Sequence, residues 1–519
     1  MRGPGDRQIE PGVPGITRAG DGDGRPAAPA PGLGRRRRLL VLGICSVALF
    51  IVGLDVTIVN VALPSIHHSL GASLAGLQWT IDAYTLVVAS LLMLAGSTAD
   101  RLGRRRVFQV GLVLFSLGSL LCALAPNLNF LIAFRVLQAI GGSMLTPVAM
   151  SIIRNVFEDP RERAQAIGIW GGVIGLSMAL GPVVGGALVD SVGWPSVFLV
   201  NVPVGIVGVV MTAIFVPESR AAHPRRLDPV GQVLVVLALF TLTYAIIEGG
   251  HRGFTQPEML ALFAVSLLSF ASLVSYELRR SEPLLEMRFF ASAPFSGASA
   301  IAVAAFASLG GFLFLNTLYL QEVRHLSPLE AGLYMLPMAA MTLIFAPLSG
   351  RLVGTRGARP SLVVAACAIT VSALMLTQLA PHTASTYLIV AYVIFGLGFG
   401  MVNPPITNTA VSGMPPSQAG VAAGVASTSR QVGQTLGVAV LGAVAGGTIS
   451  LHLGAGFTAA THAAWWIVVG LGLLILALGL ITTTEWAVGT ARRTARRYAE
   501  PRTATSFEPA RVGAAGQGA

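Results

Sequence analysis

Apolar residues run in long blocks from position 39 to 485, broken by short polar or glycine-proline stretches. A bilayer core of about 30 Å needs about 20 apolar helical residues per crossing. Runs of that kind near 39–63, 79–99, 107–125, 130–153, 164–189 and 196–216 predict six spans. Two more fall near 230–248 and 258–277, and a last six near 295–320, 331–353, 361–380, 385–410, 420–445 and 463–483. The pattern predicts an all-α membrane protein with about fourteen transmembrane helices. It divides into a disordered cytoplasmic tail (1–38), an N-terminal six-helix bundle (39–216), a linker with two inserted helices (217–294), a C-terminal six-helix bundle (295–485) and a second disordered cytoplasmic tail (486–519).

Composition agrees with the pattern: 54% hydrophobic residues, 11% charged residues and a mean hydropathy of +0.73 exclude a single water-soluble globule. All 34 basic residues are Arg, which with 60 Gly suggests a GC-rich bacterial genome. The net charge of +11 would suggest nucleic acid in a soluble domain. Here the Arg clusters lie between apolar runs and at the termini, as topology-setting charge does, and no nucleic-acid partner is expected. Arg101 and Arg104–Arg106, then Arg154, Arg161 and Arg163, then Arg220, Arg225 and Arg226 occupy alternate loops, while 64–78, 126–129 and 190–195 hold no Arg. This alternation puts both termini in the cytoplasm of a multi-pass cytoplasmic-membrane protein and requires an even number of spans. Arg35–Arg38 before Leu39–Leu63 resemble a signal sequence, but the apolar run is too long and lacks a small-residue cleavage site, so it is read as an uncleaved first span. Cys45, Cys122 and Cys367 are isolated and are expected to be inert buried thiols, with no metal site and no cofactor.

Ionisable side chains inside the spans are few. Asp55 in the outer half of the first span would be costly as a lone charge, by at least ~2.5 kcal/mol at a helix centre. A change in its burial or pairing would switch such a carboxylate between holding and releasing a proton. Arg135 in the fourth span lies at a similar depth and is the candidate partner. The alternative is a fixed buried pair that never titrates. Asp82, between Trp79 and Tyr84 just inside the second span, is a candidate contact for a lipophilic cation; alternatively the two aromatic residues form an interfacial belt with Asp82 in headgroup water. Arg430 reads as a structural side chain near the inner end of its span, able to snorkel to the interface. An internal repeat aligns Gly96, Gly103 and Arg105 with Gly350, Gly357 and Arg359, and sets Asp100 opposite Gly354.

The run Gly96-Ser97-Thr98-Ala99-Asp100-Arg101-Leu102-Gly103-Arg104-Arg105-Arg106 resembles the loop signature of the major facilitator superfamily. Leu54 to Pro64, Arg135-Val136-Leu137-Gln138 and Gly181-Pro182-Val183-Val184-Gly185-Gly186 resemble its fourteen-span drug:proton antiporters, with Ala139 where Gly is usual. The resemblance implies two six-helix bundles plus two inserted helices, and proton coupling through Asp55 and Arg135. It also implies a conformational latch of Gly96, Asp100, Arg101, Gly103 and Arg104, and an exporter-type helix contact at Gly181, Pro182, Gly185 and Gly186. Phosphate-loop, HExxH and nucleophile-elbow motifs are missing from the sequence, so the expected energy source is an ion gradient and no enzyme activity is expected. The expected partners are protons, membrane lipid and a lipophilic or cationic small molecule. A dedicated metabolite or lipid exporter and a non-transporting sensor or scaffold are the alternatives.

Overall fold

A computed structural model of the chain describes residues 34–221, 227–280, 282–412, 418–446 and 456–499. The remainder of both tails, and Arg225 and Arg226, lie outside the described residues. All regular structure among those residues is helical. The first half contains α1 (Arg35–Leu70), α2 (Leu74–Leu102), α3 (Arg104–Ala123), α4 (Leu128–Val156), α5 (Pro160–Val192), α6 (Ser196–Leu199) and α7 (Asn201–Phe215). Next come α8 (Pro229–Arg252) and α9 (Pro257–Glu277). The second half contains α10 (Ala293–Leu318), α11 (Pro328–Arg356), α12 (Ala358–Leu376), α13 (Ser385–Val411), α14 (Ala419–Gly446), α15 (Gly456–Thr482) and α16 (Glu485–Ala499).

Local chemistry sets the helix ends. Ser73, Asn127 and Asp159 accept backbone N–H groups at the starts of α2, α4 and α5, and Ser327 with Glu330 forms a capping box on α11. Gly71, at φ 62°, ends α1 in the left-handed region. The apolar run stops at Pro64, but α1 continues to Leu70. Proline weakens the preceding turn of a helix, and a neighbouring helix can satisfy the freed carbonyl. Pro64 leaves the Asn60 carbonyl without its helical donor, and in the same turn Gln321, in a π turn after α10, donates to the Val61 carbonyl at 2.9 Å.

Among the described residues, thirteen helical segments are long and apolar enough to cross a membrane. α14 is long enough at 28 residues, but Ser427, Thr428, Ser429, Arg430, Gln431 and Gln434 lower its hydropathy. It packs against α10, α2 and α8, so that most of these groups meet protein rather than lipid. The inserted helices are peripheral: α9 packs on α8 and leaves Leu267 69% and Leu268 66% exposed, a surface suited to acyl chains.

The two halves repeat one packing scheme. α1 lies on α5, α2 and α3 on α4, and α3 on α7; correspondingly α10 lies on α14, α11 and α12 on α13, and α12 on α15. The two most extensive cross-half contacts, α5 with α11 and α2 with α14, are equivalent under the same repeat.

Two expectations need correction. The sequence predicts disorder from 486, yet α16 covers Glu485–Ala499. Its buried stripe of Ala487, Thr490, Ala491 and Thr494 docks it, with Thr490 accepting the Ala293 N–H at 2.9 Å. A stripe of small residues gives no apolar run for a hydropathy scan to find. Cys367 is exposed rather than buried, whereas Cys45 and Cys122 are buried.

Candidate functional site

Asp55 on α1 and Arg135 on α4 meet in the interior of the N-terminal bundle, 0% and 1% exposed. Arg135 Nη1 donates to Asp55 Oδ2 at 2.6 Å and to Gln138 Oε1 at 2.7 Å, and its Nε donates to the Thr80 carbonyl of α2 at 3.0 Å. Gln138 Nε2 donates to Asp55 Oδ1 at 2.8 Å and to Ser119 of α3 at 2.8 Å. Asn201, the first residue of α7, donates to Asp55 Oδ1 at 3.1 Å. Both carboxylate oxygens therefore have donors, which a buried charge requires. The Tyr84 ring lies 4.3 Å and the Phe198 ring 5.7 Å from the guanidinium carbon, enclosing it with aromatic faces. Five helices thus meet in one hydrogen-bond network around Asp55 and Arg135.

Neutral residues complete this network, and sequence reasoning assigned them no role. Gln138 follows Arg135 by three positions and shares its helix face, which is the available signal. Asn201 carries a signal only through the run Asn201-Val202-Pro203, which resembles the same antiporters, and Ser119 gives none, since serine inside spans is commonly a packing group.

Asp82, Trp79 and Tyr84 diverge. The Trp79 ring packs on Phe240 and Tyr244 of α8, at 6.1 and 5.7 Å between centroids, and Tyr84 turns to Arg135. Asp82 is fully buried beside α14 rather than in headgroup water. Its Oδ1 accepts from Thr85 at 3.4 Å and its Oδ2 has no hydrogen-bond partner. Thr85 in turn accepts from Thr435 of α14 at 2.8 Å, and Gln78 donates to the Val438 and Ala439 carbonyls, sealing α2 to α14 at this end.

At the arginine-rich end, Arg104 donates to Asp100 through Nε at 3.1 Å and Nη2 at 2.9 Å. The segment after α7 clasps this loop: Arg104 N–H donates to the Ser219 carbonyl, Ala221 N–H to the Asp100 carbonyl and Arg105 N–H to Glu218. Gly103 has φ 113°, and a side chain there would meet Glu218 at 2.6 Å. Gly96 faces Pro147 of α4, 3.9 Å from where its Cβ would stand. These contacts stay within the first half.

The Gly181–Gly186 segment touches both halves. Cβ atoms at Gly181 and Gly185 would meet Thr57 and Ile58 of α1, whereas at Gly186 a Cβ would lie 2.4 Å from the Pro328 carbonyl of α11. From α11, Gly332 reaches the Pro182 carbonyl in the same way. Further along the same faces Gly175 approaches Leu343 at 3.5 Å, and beyond that Gly168, Gly171, Gly172, Gly350 and Gly354 have nothing within 4 Å. α5 and α11 therefore touch at the end opposite the arginine-rich loops and splay toward those loops.

Comparison with known proteins agrees with this architecture. The sequence profile of the Major Facilitator Superfamily matches residues 45–438. The chain is 36% identical over 418 residues to the multidrug resistance protein Stp of Mycobacterium tuberculosis, covering 80% of this chain and 78% of Stp. It is 37% identical over 416 residues to the tetracenomycin C resistance and export protein of Streptomyces glaucescens, covering 80% and 77%. With the methylenomycin A resistance protein of Bacillus subtilis the identity is 32% over 421 residues, covering 80% and 90%. Among solved structures, a bacterial homologue of the human lysosomal transporter Spinster, inward-facing and unoccupied, superposes with a TM-score of 0.62 at 19% identity, covering 89% of this chain and 99% of that one. With its repeated six-helix packing and this family match, the chain belongs to the major facilitator superfamily.

Proposed function

We propose that the chain exports lipophilic drugs or antibiotics across the cytoplasmic membrane in exchange for protons, by alternating access of its two bundles. The observation that carries this reading is the Asp55–Arg135 pair, an ionisable couple held out of water inside a transmembrane bundle. Protonation of Asp55 would neutralise the carboxylate, weaken its hold on Arg135, Gln138 and Asn201, and so loosen α1 against α4 and α7. That converts a proton's arrival into helix movement. One proton crossing ~100 mV releases ~2.3 kcal/mol, enough for roughly a fiftyfold gradient of a neutral substrate.

In this reading the arginine-rich face is cytoplasmic, and the splay of α5 from α11 lets substrate in from that side. The Gly181–Gly186 segment is the pivot, and the Asp100 loop, clasped to the first bundle, is the latch that meets the second bundle when that side shuts. Closing there parts α2 from α14 at the other end and exposes Asp82, whose charge is neutralised by whichever cation enters, a proton or a basic substrate.

The resistance and export names of three relatives support the export direction. Two of those names refer to single antibiotics, which favours a second reading: export of one dedicated compound. Both are tested by accumulation of a panel of lipophilic cations, neutral compounds and antibiotics in cells expressing the chain, with and without a protonophore. Lowered accumulation of several members, reversed by the protonophore, is expected. Efflux unaffected by the protonophore contradicts proton coupling, and movement of one compound alone selects the dedicated exporter.

A further inference from the structure

Arg430 does not occupy the snorkelling position that its sequence context suggests. It stands eleven residues past Ala419 in α14, roughly 16 Å along the axis at ~1.5 Å per residue, about half of a ~30 Å core. Its side chain reaches sideways to α13. Nε donates to Asn403 Oδ1 at 3.1 Å, Nη2 to Thr407 Oγ1, and Nη1 to Ser427 of its own helix at 3.4 Å. All three partners are uncharged, unlike the Asp55 that holds Arg135.

The guanidinium bridges α14 to α13 across α10, with its carbon 6.0 Å from the Phe306 ring centroid. Phe306 meets Phe399 of α13 edge-on at 5.2 Å. α10 turns Gly297 and Phe312 toward α15; by helical periodicity Phe306 lies on the opposite side, and α10 also contacts α1 of the N-terminal bundle. Arg430 is thus on the wall of the space between the bundles, with Thr407 exposed beside it. A guanidinium has five N–H groups. The three bonds leave one N–H on each terminal nitrogen, the pair that receives the two oxygens of a carboxylate side by side. A mid-membrane cation with neutral neighbours, an open fork and an aromatic floor is suited to an anion with an apolar body.

We propose that Arg430, with Thr407 and the Phe306–Phe399 pair, binds an anionic oxygen group, a carboxylate or phenolate, on the exported molecule. This rests on the export reading above and narrows its substrate class. Binding in zwitterionic nanodiscs of three probes with one aromatic body, 1-pyrenebutyrate, 1-pyrenebutanamide and 1-pyrenebutylammonium, tests it by pyrene fluorescence. The intact chain should bind the carboxylate about tenfold more tightly than the amide, a preference that Arg430→Gln abolishes with amide affinity kept and Arg430→Lys keeps in part. Thr407→Val, which leaves the cation in place, should lower carboxylate affinity several-fold and serves if Arg430→Gln fails to fold. Equal affinity of the intact chain for carboxylate and amide, or an unchanged preference in Arg430→Gln, overturns the proposal. Export assays on the same proteins separate the two claims: export without any carboxylate preference in binding overturns the Arg430 site alone, and export of nothing in cells overturns the export reading.

Discussion

The side chain of Asp55 has three donors, and their removal has graded consequences. Asp55→Asn keeps the shape and leaves an amide oxygen to accept from Arg135, so the protein should fold yet lose proton-driven export at least tenfold, read as compound accumulation in cells. Asp55→Ala leaves a buried unpaired guanidinium and should cost ~3–5 kcal/mol, seen as a fall in the thermal unfolding midpoint in detergent. Gln138→Ala removes a bridge between the two charges and should cost ~1–3 kcal/mol by the same measurement. The charged pair was legible in the sequence because ionisable residues inside spans are rare. The neutral half of the network was not, because a residue such as Ser119 looks like any small polar group in a helix until the fold brings it to Gln138 and Asn201, beside the carboxylate. Thiol exposure was equally hidden, since Cys367 sits in an apolar run like Cys45. Because Cys367 lies midway along the spanning helix α12, its exposed face meets lipid, and a water-soluble maleimide should label none of the three thiols in the folded protein.

Helices were legible wherever length and apolarity coincide, which is why the predicted spans fall on the observed ones. Their ends were not, because a hydropathy scan follows side-chain transfer energy rather than backbone bonding: α1 passes through Pro64, and α16 has too little apolar length to register. Polar α14 is the intermediate case, buried by protein on several sides. Close helix crossings show only as glycines in the sequence, and the fold determines which of them matter. Gly186 is one such position, where a Cβ would meet the backbone of α11 at 2.4 Å. Gly186→Val should prevent the close contact of α5 with α11 and reduce export at least tenfold while leaving the first bundle intact. Gly168→Ala, in open space on the same face, should be nearly silent, and equal loss in both variants would remove the contact's special status.

At the scale of the whole molecule, the repeated packing of the halves makes the two most extensive cross-half contacts equivalent hinges in the proposed cycle. Spin labels at Gly171→Cys and Gly350→Cys, in a background without the native cysteines, report the splay of α5 from α11. Double electron–electron resonance should give long and short populations with an exported compound at neutral pH, and the long distance alone when Asp55 is replaced by Asn or the pH is lowered, since in proton-for-compound exchange the proton-loaded chain returns to the cytoplasm-open form. A single unchanged distance would mean that the charge state of the pair does not bias the bundles.

The most direct test of proton coupling uses proteoliposomes loaded at acid pH and diluted into neutral buffer, with a compound found to be exported in cells. The intact chain should accumulate it against its gradient, and Asp55→Asn should exchange labelled for unlabelled compound without accumulating it. Accumulation by Asp55→Asn equal to that of the intact chain would contradict the assignment of the Asp55–Arg135 pair to proton coupling.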